Sequence, residues 1–162
     1  MCYLTLDGTQ ITMITMITQD FMTTTIKFKI VTPEGVVYEN EVAQATIPTM
    51  DGEITVLPNH IPLISILKTG ELKFKDKDGD HAIALAGGFL EVRGNNELVI
   101  LADNAERAEE IDIEKAEQAR ARAEELMKKA DQTADVDFAR LQAVIDREMN
   151  RMRVGKKWKN VK

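Results

Sequence analysis

The chain has 162 residues and a formal net charge of −6, with 44% hydrophobic, 30% charged and 5% aromatic residues. This length fits one ordinary domain with an appendage, and the apolar content is too high for a disordered acidic chain. The longest apolar stretch, 82–90, contains two glycines and is far shorter than the roughly 20 apolar residues of a membrane-crossing helix. One cysteine and two histidines indicate a reducing compartment and neither an internal disulfide nor a structural zinc site.

The segment 1–21 differs from the rest of the chain. It contains no lysine or arginine and therefore lacks the basic start of a secretory signal. Its repeated Thr-Met-Ile-Thr sequence resembles the translated leader of common beta-galactosidase expression vectors. Met22 precedes a clear strand pattern. We interpret 1–21 as a vector-derived leader and Met22 as the natural start. The alternative is a genuine N-terminal arm, disordered or β-prone, because isoleucine and threonine favour strands.

The segment 22–104 has the hydropathy pattern of a β domain. Three apolar residues from Ile26 to Ile30 alternate with two lysines, which is typical of a strand with one buried face. About nine such short runs, separated by turn residues, predict an antiparallel β-sandwich or flattened barrel. The predicted strands lie at 26–30, 36–38, 42–47, 53–57, 64–68, 71–75, 81–85, 89–93 and 98–102.

The segment 105–153 predicts an antiparallel hairpin of two helices, followed by a basic tail over 154–162. Alanine, glutamate, arginine and lysine dominate as far as about residue 130, and Asp135 can cap the second helix. An alanine-lined seam buries little apolar area, so we expect the hairpin to open easily. The predicted seam consists of Ala116, Ala119, Ala123, Leu126 and Ala130, facing Leu141, Val144, Ile145, Met149 and Met152.

The chain offers no recognisable catalytic constellation. His60 and His81 lack neighbouring cysteines and a nucleophilic serine with its base, so the sequence predicts neither a metal site nor an enzyme. The strand and helix patterns predict the α+β fold class. Without a catalytic constellation, we expect a binding or regulatory role.

Cationic residues on the predicted second helix form the clearest binding feature. Arg140, Arg147 and Arg151 lie at steps of seven and four, so they share a helix face that suits an anion or an acidic protein. A merely soluble basic tail is the alternative. Nucleic acid is disfavoured, because Trp158 is the only aromatic residue from Arg140 onward and no stacking platform accompanies the charge.

Cations on the first helix repeat every seven residues, at Lys115, Arg122 and Lys129. They can face the arginines of the second helix when the hairpin closes, and a polyphosphate bridging the two rows would then stabilise the closed state. Alternatively, the same cations pair with nearby glutamates. The residues alone favour that second account.

Several segments resemble the epsilon subunits of bacterial F-type ATP synthases. They are GEITVLPNHIPL from Gly52, AGGFLEV from Ala86, VTPEG from Val31 and the alanine-rich hairpin. The resemblance extends from about Ile26 to Arg153 in matching order and spacing.

This resemblance implies a non-catalytic rotor subunit at the cytoplasmic face of the bacterial cell membrane. The sandwich would bind the gamma subunit and rest on the c-ring, with Glu53 and His60 toward the ring. The hairpin would restrain ATP hydrolysis by contacting the beta and alpha subunits, with Arg140, Arg147, Arg151 and Arg153 placed toward the beta subunit. No cofactor is implied as required. ATP is implied as a regulatory ligand at Glu106, Ile111, Asp112, Lys115, Ala116, Arg122, Arg140, Arg147 and Arg151.

The chain departs from the family pattern at three positions. Lys115 stands where the nucleotide motif usually has arginine, and a lysine cannot grip phosphate in a planar, bidentate way. We expect nucleotide affinity to fall by about tenfold to a few hundredfold. Asn59 and Thr55 replace glycines that are usual or frequent there. The alternative to a rotor subunit is a non-enzymatic adaptor that binds an acidic protein.

Overall fold

The computed structural model describes residues 25–130 and 137–159. The expected leader, the start at Met22 and the capping residue Asp135 lie outside this part of the chain. Ten described strands precede two helices. The strands are β1 (Ile26–Thr32), β2 (Gly35–Val42), β3 (Gln44–Thr49), β4 (Gly52–Val56), β5 (Leu63–Ile66), β6 (Gly70–Asp76), β7 (Gly79–Ala86), β8 (Phe89–Arg93), β9 (Glu97–Leu101) and β10 (Asn104–Arg107). The helices are α1 (Ile113–Ala130) and α2 (Phe138–Lys159).

The strands form two five-stranded sheets, with the orders β2-β1-β9-β8-β5 and β10-β7-β6-β3-β4. A β-sandwich followed by two helices confirms the predicted α+β fold. Neighbouring described strands run antiparallel except β1 and β9, which pair in parallel from Lys27–Glu97 to Val31–Leu101. A parallel pair needs a long connection, and the seven strands between β1 and β9 provide it.

An aromatic cluster joins the two sheets. Phe28 of β1, Tyr38 of β2 and Phe74 of β6 have ring centroids 4.4 to 5.5 Å apart in tilted or edge arrangements. Ile26 and Ile30, predicted to face inward from β1, are at most 1% exposed. The alternation in β1 therefore identified the buried face correctly.

The two glycine replacements fit their positions. Asn59 has a φ of 64°, a conformation that asparagine adopts more readily than most residues. The Thr55 hydroxyl lies 2.9 Å from the Thr46 hydroxyl across the β3–β4 pair, so this side chain gains a polar contact at the surface.

The junction between sandwich and hairpin differs from the expected change at residue 105. Residues 104–107 form β10, which pairs with β7, and the Ala108 amide donates to the Ala82 carbonyl at 2.9 Å. Helix α1 begins only at Ile113. The alanine, glutamate and arginine of β10 favour a helix locally, but pairing with the sheet edge outweighs that preference.

Helix α2 also differs from expectation, because it continues to Lys159 instead of ending at residue 153. Val154 is fully buried, and Gly155 packs so closely on Ile111 and Ile113 that a Cβ there would lie 3.1 to 3.3 Å from their side chains. Packing against the sandwich thus makes residues 154–159 a docked helical end rather than a basic tail.

Candidate functional site

The candidate site is the contact between the helical hairpin and the sheet that contains β6, β7 and β10. Both helices begin with aspartate caps: Asp112 accepts the Lys115 amide at 3.1 Å, and Asp137 accepts the Arg140 amide at 3.0 Å. Side-chain oxygens at this position satisfy amides that the first turn leaves without partners. The caps therefore set where α1 and α2 start.

The seam between α1 and α2 is narrower than predicted. Ala116 and Ala123 of α1 are buried, as is Ile145 of α2. Leu126 and Met149, however, are 56% and 50% exposed. Much of the apolar area assigned to the seam therefore faces solvent, and the helix pair has little hydrophobic cohesion of its own.

The contact of the hairpin with the sandwich is also lined by small residues. Ala82, Ala84 and Ala108 form a buried cluster with Ile111 and Val154. Alanine side chains contribute little buried apolar area, so specific polar contacts must supply a larger share of the docking free energy.

Four residues in the C-terminal half of α2 and on β6, here called the C-terminal clamp, make those polar contacts: Glu71, Asn150, Lys157 and Trp158. The buried Asn150 amide donates to the carbonyls of Gly70 and Leu85, at 2.8 and 3.1 Å. Glu71 accepts from the Trp158 indole at 2.6 Å and from the Lys157 ammonium at 2.9 and 3.0 Å. Five hydrogen bonds therefore connect α2 to β6 and β7.

Sequence reasoning missed the C-terminal clamp. Two signals were present: an uncharged polar Asn150 between Met149 and Met152 of the apolar stripe, and the only tryptophan of the chain at residue 158. Neither signal identifies its partner, because Gly70 and Glu71 precede Asn150 by about 80 residues.

The second polar group at the site, here called the arginine cluster, comprises Glu106, Arg147, Glu148 and Arg151. Glu148 is 1% exposed and binds Arg147 at 2.9 Å and Arg151 at 2.6 Å. Arg151 also binds Glu106 of β10 at 2.6 Å. Burial lowers the pKa of Arg151, but the hydrogen bonds that it donates to Glu106 and Glu148 outweigh this effect and raise the pKa above its usual value. Arg151 is therefore a fixed cation that links α2 to the sandwich.

Two of the residues assigned to nucleotide binding form a local pair at the start of α1. Lys115 is largely exposed and lies 3.2 Å from Asp112. The backbone and side-chain hydrogen bonds from Lys115 hold the pKa of Asp112 below its usual range. In this structure the pair stabilises the first turn of α1.

The other assigned residues are divided between the interior and the surface. Ile111 and Ala116 are buried packing residues, whereas Arg122 and Arg140 are exposed. Of the four arginines assigned to an inhibitory contact, Arg153 is exposed and donates to the Asn150 side chain at 2.9 Å. The structure thus brings Glu106, Arg147 and Arg151 together, and it adds Glu148, which the sequence assignment omitted.

Glu53 and His60 lie at the edge of the second sheet. Glu53 is exposed on the edge strand β4, and His60 follows in the loop to β5. The His60 amide donates to the Leu57 carbonyl at 3.1 Å, and its ring Nδ1 lies 2.7 Å from the Ile61 carbonyl. His60 therefore braces its own turn, which is the alternative to a partner contact for this residue.

An apolar face lies on the outer side of the first sheet, formed by Ile64, Ile66, Phe89 and Leu101. Ile66, Phe89 and Leu101 stand opposite one another across β5, β8 and β9, and each is 54 to 57% exposed. Ile64, two residues from Ile66 on β5, is 74% exposed. Contiguous exposed apolar residues of this kind mark interaction surfaces.

Two features are absent from residues 25–130 and 137–159. No group of three or more histidine, cysteine, aspartate or glutamate side chains is placed there to hold a metal ion. Neither helix combines the length and apolar character needed to cross a bilayer.

Comparison with known proteins identifies the family. The model of the ATP synthase delta/epsilon chain β-sandwich domain matches residues 25–108, and the model of its long α-helix domain matches 109–156. The chain belongs to the ATP synthase delta/epsilon family. It is 40% identical over 132 residues to the ATP synthase epsilon chain of Levilactobacillus brevis, covering 81% of this chain and 94% of that protein.

Other comparisons agree with this assignment. The epsilon chain of Nitratidesulfovibrio vulgaris strain DP4 is 41% identical over 133 residues, covering 82% of this chain and 97% of that protein. A chain of the Euglena gracilis mitochondrial ATP synthase shares the fold with a TM-score of 0.56 and 24% identity, covering 85% of this chain and 81% of that chain. As an epsilon-family member, the chain is a structural and regulatory subunit and not the catalytic one.

Replacing Asn150 with alanine should weaken docking of α2. The change removes two donors and leaves the carbonyls of Gly70 and Leu85 without this partner, at a cost of about 1–3 kcal/mol. Hydrogen exchange of the α2 amides measures the effect. The matched control is Gln142→Ala, because the Gln142 amide donates to the exposed Asp146 of the same helix, at 2.8 Å, and this bond does not cross to the sandwich. Equal protection of α2 in both variants would contradict the role given to Asn150.

Acid should release the contacts that Glu71 makes within the C-terminal clamp, whereas the Asn150 contacts do not titrate. Burial raises the pKa of Glu71, but the hydrogen bonds from Trp158 and Lys157 hold it below its ordinary value of 4.5. The free energy that the Glu71 carboxylate contributes to docking is therefore fully present above pH 4.5. It is lost as the pH falls through the pKa of Glu71 in the docked chain.

The emission of Trp158, the single tryptophan, measures this release. We expect a red shift on acidification below that pH, and a red-shifted spectrum already at neutral pH in Glu71→Gln. A Glu71→Gln spectrum identical to that of the unmodified chain at pH 7 would mean that the carboxylate does not hold the indole.

Proposed function

We propose that the protein acts as the epsilon subunit of the central stalk of an F-type ATP synthase. In this proposal the sandwich joins the gamma subunit to the c-ring, at the cytoplasmic face of the bacterial cell membrane. The helical hairpin is a releasable arm that restrains ATP hydrolysis. The observation that carries the proposal is the docking of the hairpin by polar contacts over small apolar seams, because such contacts exchange readily for new ones.

The apolar face is the surface proposed for the gamma subunit. Its four residues lie on the sheet opposite to the one that carries the hairpin, so a partner can bind there whether the hairpin is docked or released. Burying Ile64, Ile66, Phe89 and Leu101 would contribute about 25 cal/mol per Å² of apolar area.

The edge of the second sheet is proposed for the c-ring. Glu53 offers an exposed carboxylate on β4, and His60 holds the loop that follows. Polar groups on a braced loop suit a contact with the polar loops of a ring of membrane subunits, since little order has to be gained on binding.

The arginines of α2 are proposed as the inhibitory surface toward the beta and alpha subunits. Arg140 and Arg153 are exposed in the docked hairpin, whereas Arg147 and Arg151 are bound to Glu148 and Glu106. Release of the arm from the sandwich would separate Arg151 from Glu106 and turn this part of α2 toward solvent. The four arginines would then face an acidic partner, which would have to replace Glu148 of the same helix on Arg147 and Arg151.

ATP is proposed as a regulatory ligand of the docked hairpin. Glu106, Arg147 and Arg151 already lie together, and Lys115, Asp112, Arg122 and Arg140 would have to reorient toward the ligand. The remaining assigned residues, Ile111 and Ala116, would keep their packing roles. Nucleotide binding would favour the docked state, because one ligand would then contact residues of α2, β10 and α1 together.

Removing the hairpin from the assembled enzyme should release ATP hydrolysis while ATP synthesis continues. The cut is placed after Ala108, since β10 belongs to the sheet and Ala108 is bonded to Ala82. We expect the hydrolysis rate to rise at least about fivefold, the lower end of usual coupling energies. Proton pumping driven by ATP serves as the control for an intact stalk. An unchanged hydrolysis rate would contradict the restraint by the arm.

A charge on the apolar face should prevent binding to gamma. Ile66→Asp places a carboxylate at a buried contact, which should weaken the complex by about 2 kcal/mol or more, or roughly thirtyfold. The matched control is Met50→Asp, because Met50 is 64% exposed on the turn between β3 and β4. Binding to purified gamma subunit measures the difference. If both variants bind gamma alike, the face belongs to another partner, which would favour an adaptor role.

A further inference from the structure

Glu148 is the most buried ionisable side chain of α2, with 1% of its surface exposed. Its two oxygens bind different guanidinium groups: Oε1 accepts from Arg147 Nε at 2.9 Å, and Oε2 accepts from Arg151 NH1 at 2.6 Å. A carboxylate with each oxygen on a separate arginine occupies the same donors that two oxygens of a phosphate group would need.

The charges of the arginine cluster are balanced within the docked chain. Arg151 binds Glu106 through Nε and Glu148 through NH1, so two carboxylates and two guanidinium groups form one continuous network. A buried charge is tolerated when it is paired and hydrogen-bonded. The cluster is therefore complete without a ligand.

We propose that Glu148 is an internal competitor for anionic ligands, occupying the arginines to which the nucleotide phosphates would bind. This inference rests on the proposed nucleotide site and adds the residue that limits its affinity. Arg147 and Arg151 are accessible to phosphate only when Glu148 leaves them, so the docked hairpin discriminates against nucleotide unless its concentration is high.

Tethering makes this competition effective. Glu148 is adjacent to Arg147 and one helical turn from Arg151 on the same helix, so it competes as an intramolecular partner at millimolar or higher effective concentration. A dissolved phosphate ligand competes at its own concentration and must also separate a buried carboxylate from two cations. Replacing the carboxylate with a neutral amide of equal size removes the competitor and retains the shape.

The test compares the unmodified full-length chain with two full-length variants, Glu148→Gln and Glu125→Gln. Glu125 is an exposed glutamate of α1 that binds Lys129 at 2.7 Å, so its replacement changes the net charge equally without affecting the arginine cluster. Isothermal calorimetry and the shift of the thermal unfolding midpoint are measured with ATP and with inorganic tripolyphosphate. Both probes carry phosphates, and only ATP also reports on recognition of the base.

We expect Glu148→Gln to bind both probes at least about tenfold more tightly than the unmodified chain and the Glu125→Gln control bind them. Adding Arg147→Ala to Glu148→Gln should abolish the gain, because the ligand then loses one of the freed donors. Hydrogen exchange of α2 confirms that the hairpin of each variant remains docked during the titration.

The outcomes separate this inference from the proposed function. If the full chain binds ATP and Glu148→Gln binds it with equal affinity, Glu148 does not compete, and the nucleotide site stands without it. If Glu148→Gln binds and the full chain does not respond at millimolar ATP, competition is supported and nucleotide sensing by this chain is refuted. If neither responds, the inference and the nucleotide site both fail, while the hydrolysis assay of the truncated enzyme still decides the role of the arm.

Discussion

The position of the hairpin depends on a small number of polar contacts in the C-terminal half of α2. Asn150 donates to two sheet carbonyls, and Glu71 accepts from Lys157 and Trp158. The buried cluster beside them includes three alanines, Ala82, Ala84 and Ala108, which bury little apolar area. A hydrogen bond contributes modestly in net terms because water replaces it on opening. This balance holds an arm in place and still permits its release.

The arginine cluster connects this mechanical property to charge. In the docked chain, Arg151 lies between Glu106 of the sandwich and Glu148 of its own helix. Docking therefore neutralises part of the cationic strip that the proposed inhibitory contact requires. The same residues cannot serve the sandwich, a nucleotide and a catalytic subunit at once, because each guanidinium group has a limited set of donors. Competition for these donors is a simple physical basis for a switch.

Much of the sandwich was predictable because local patterns agree with tertiary burial. The alternation in β1 identified Ile26, Phe28 and Ile30 as core residues, and all three are at most 1% exposed. The hairpin was less predictable. β10 replaces the expected start of a helix because the β7 edge supplies hydrogen-bond partners. Leu126 was assigned to the helix seam but is 56% exposed. The assignment failed because helical spacing alone does not give the width of the buried stripe.

The sequence by itself determined the α+β class, the placement of the β domain before the two helices, and the concentration of arginines on the last helix. These properties follow from composition and periodicity, which act over a few residues. Only the tertiary structure decided that Asn150 meets Gly70 and Leu85, that Glu71 meets Trp158, and that Glu148 is buried between two arginines. Contacts across about 80 residues depend on how the hairpin packs on the sandwich, and local sequence patterns carry no information about that packing.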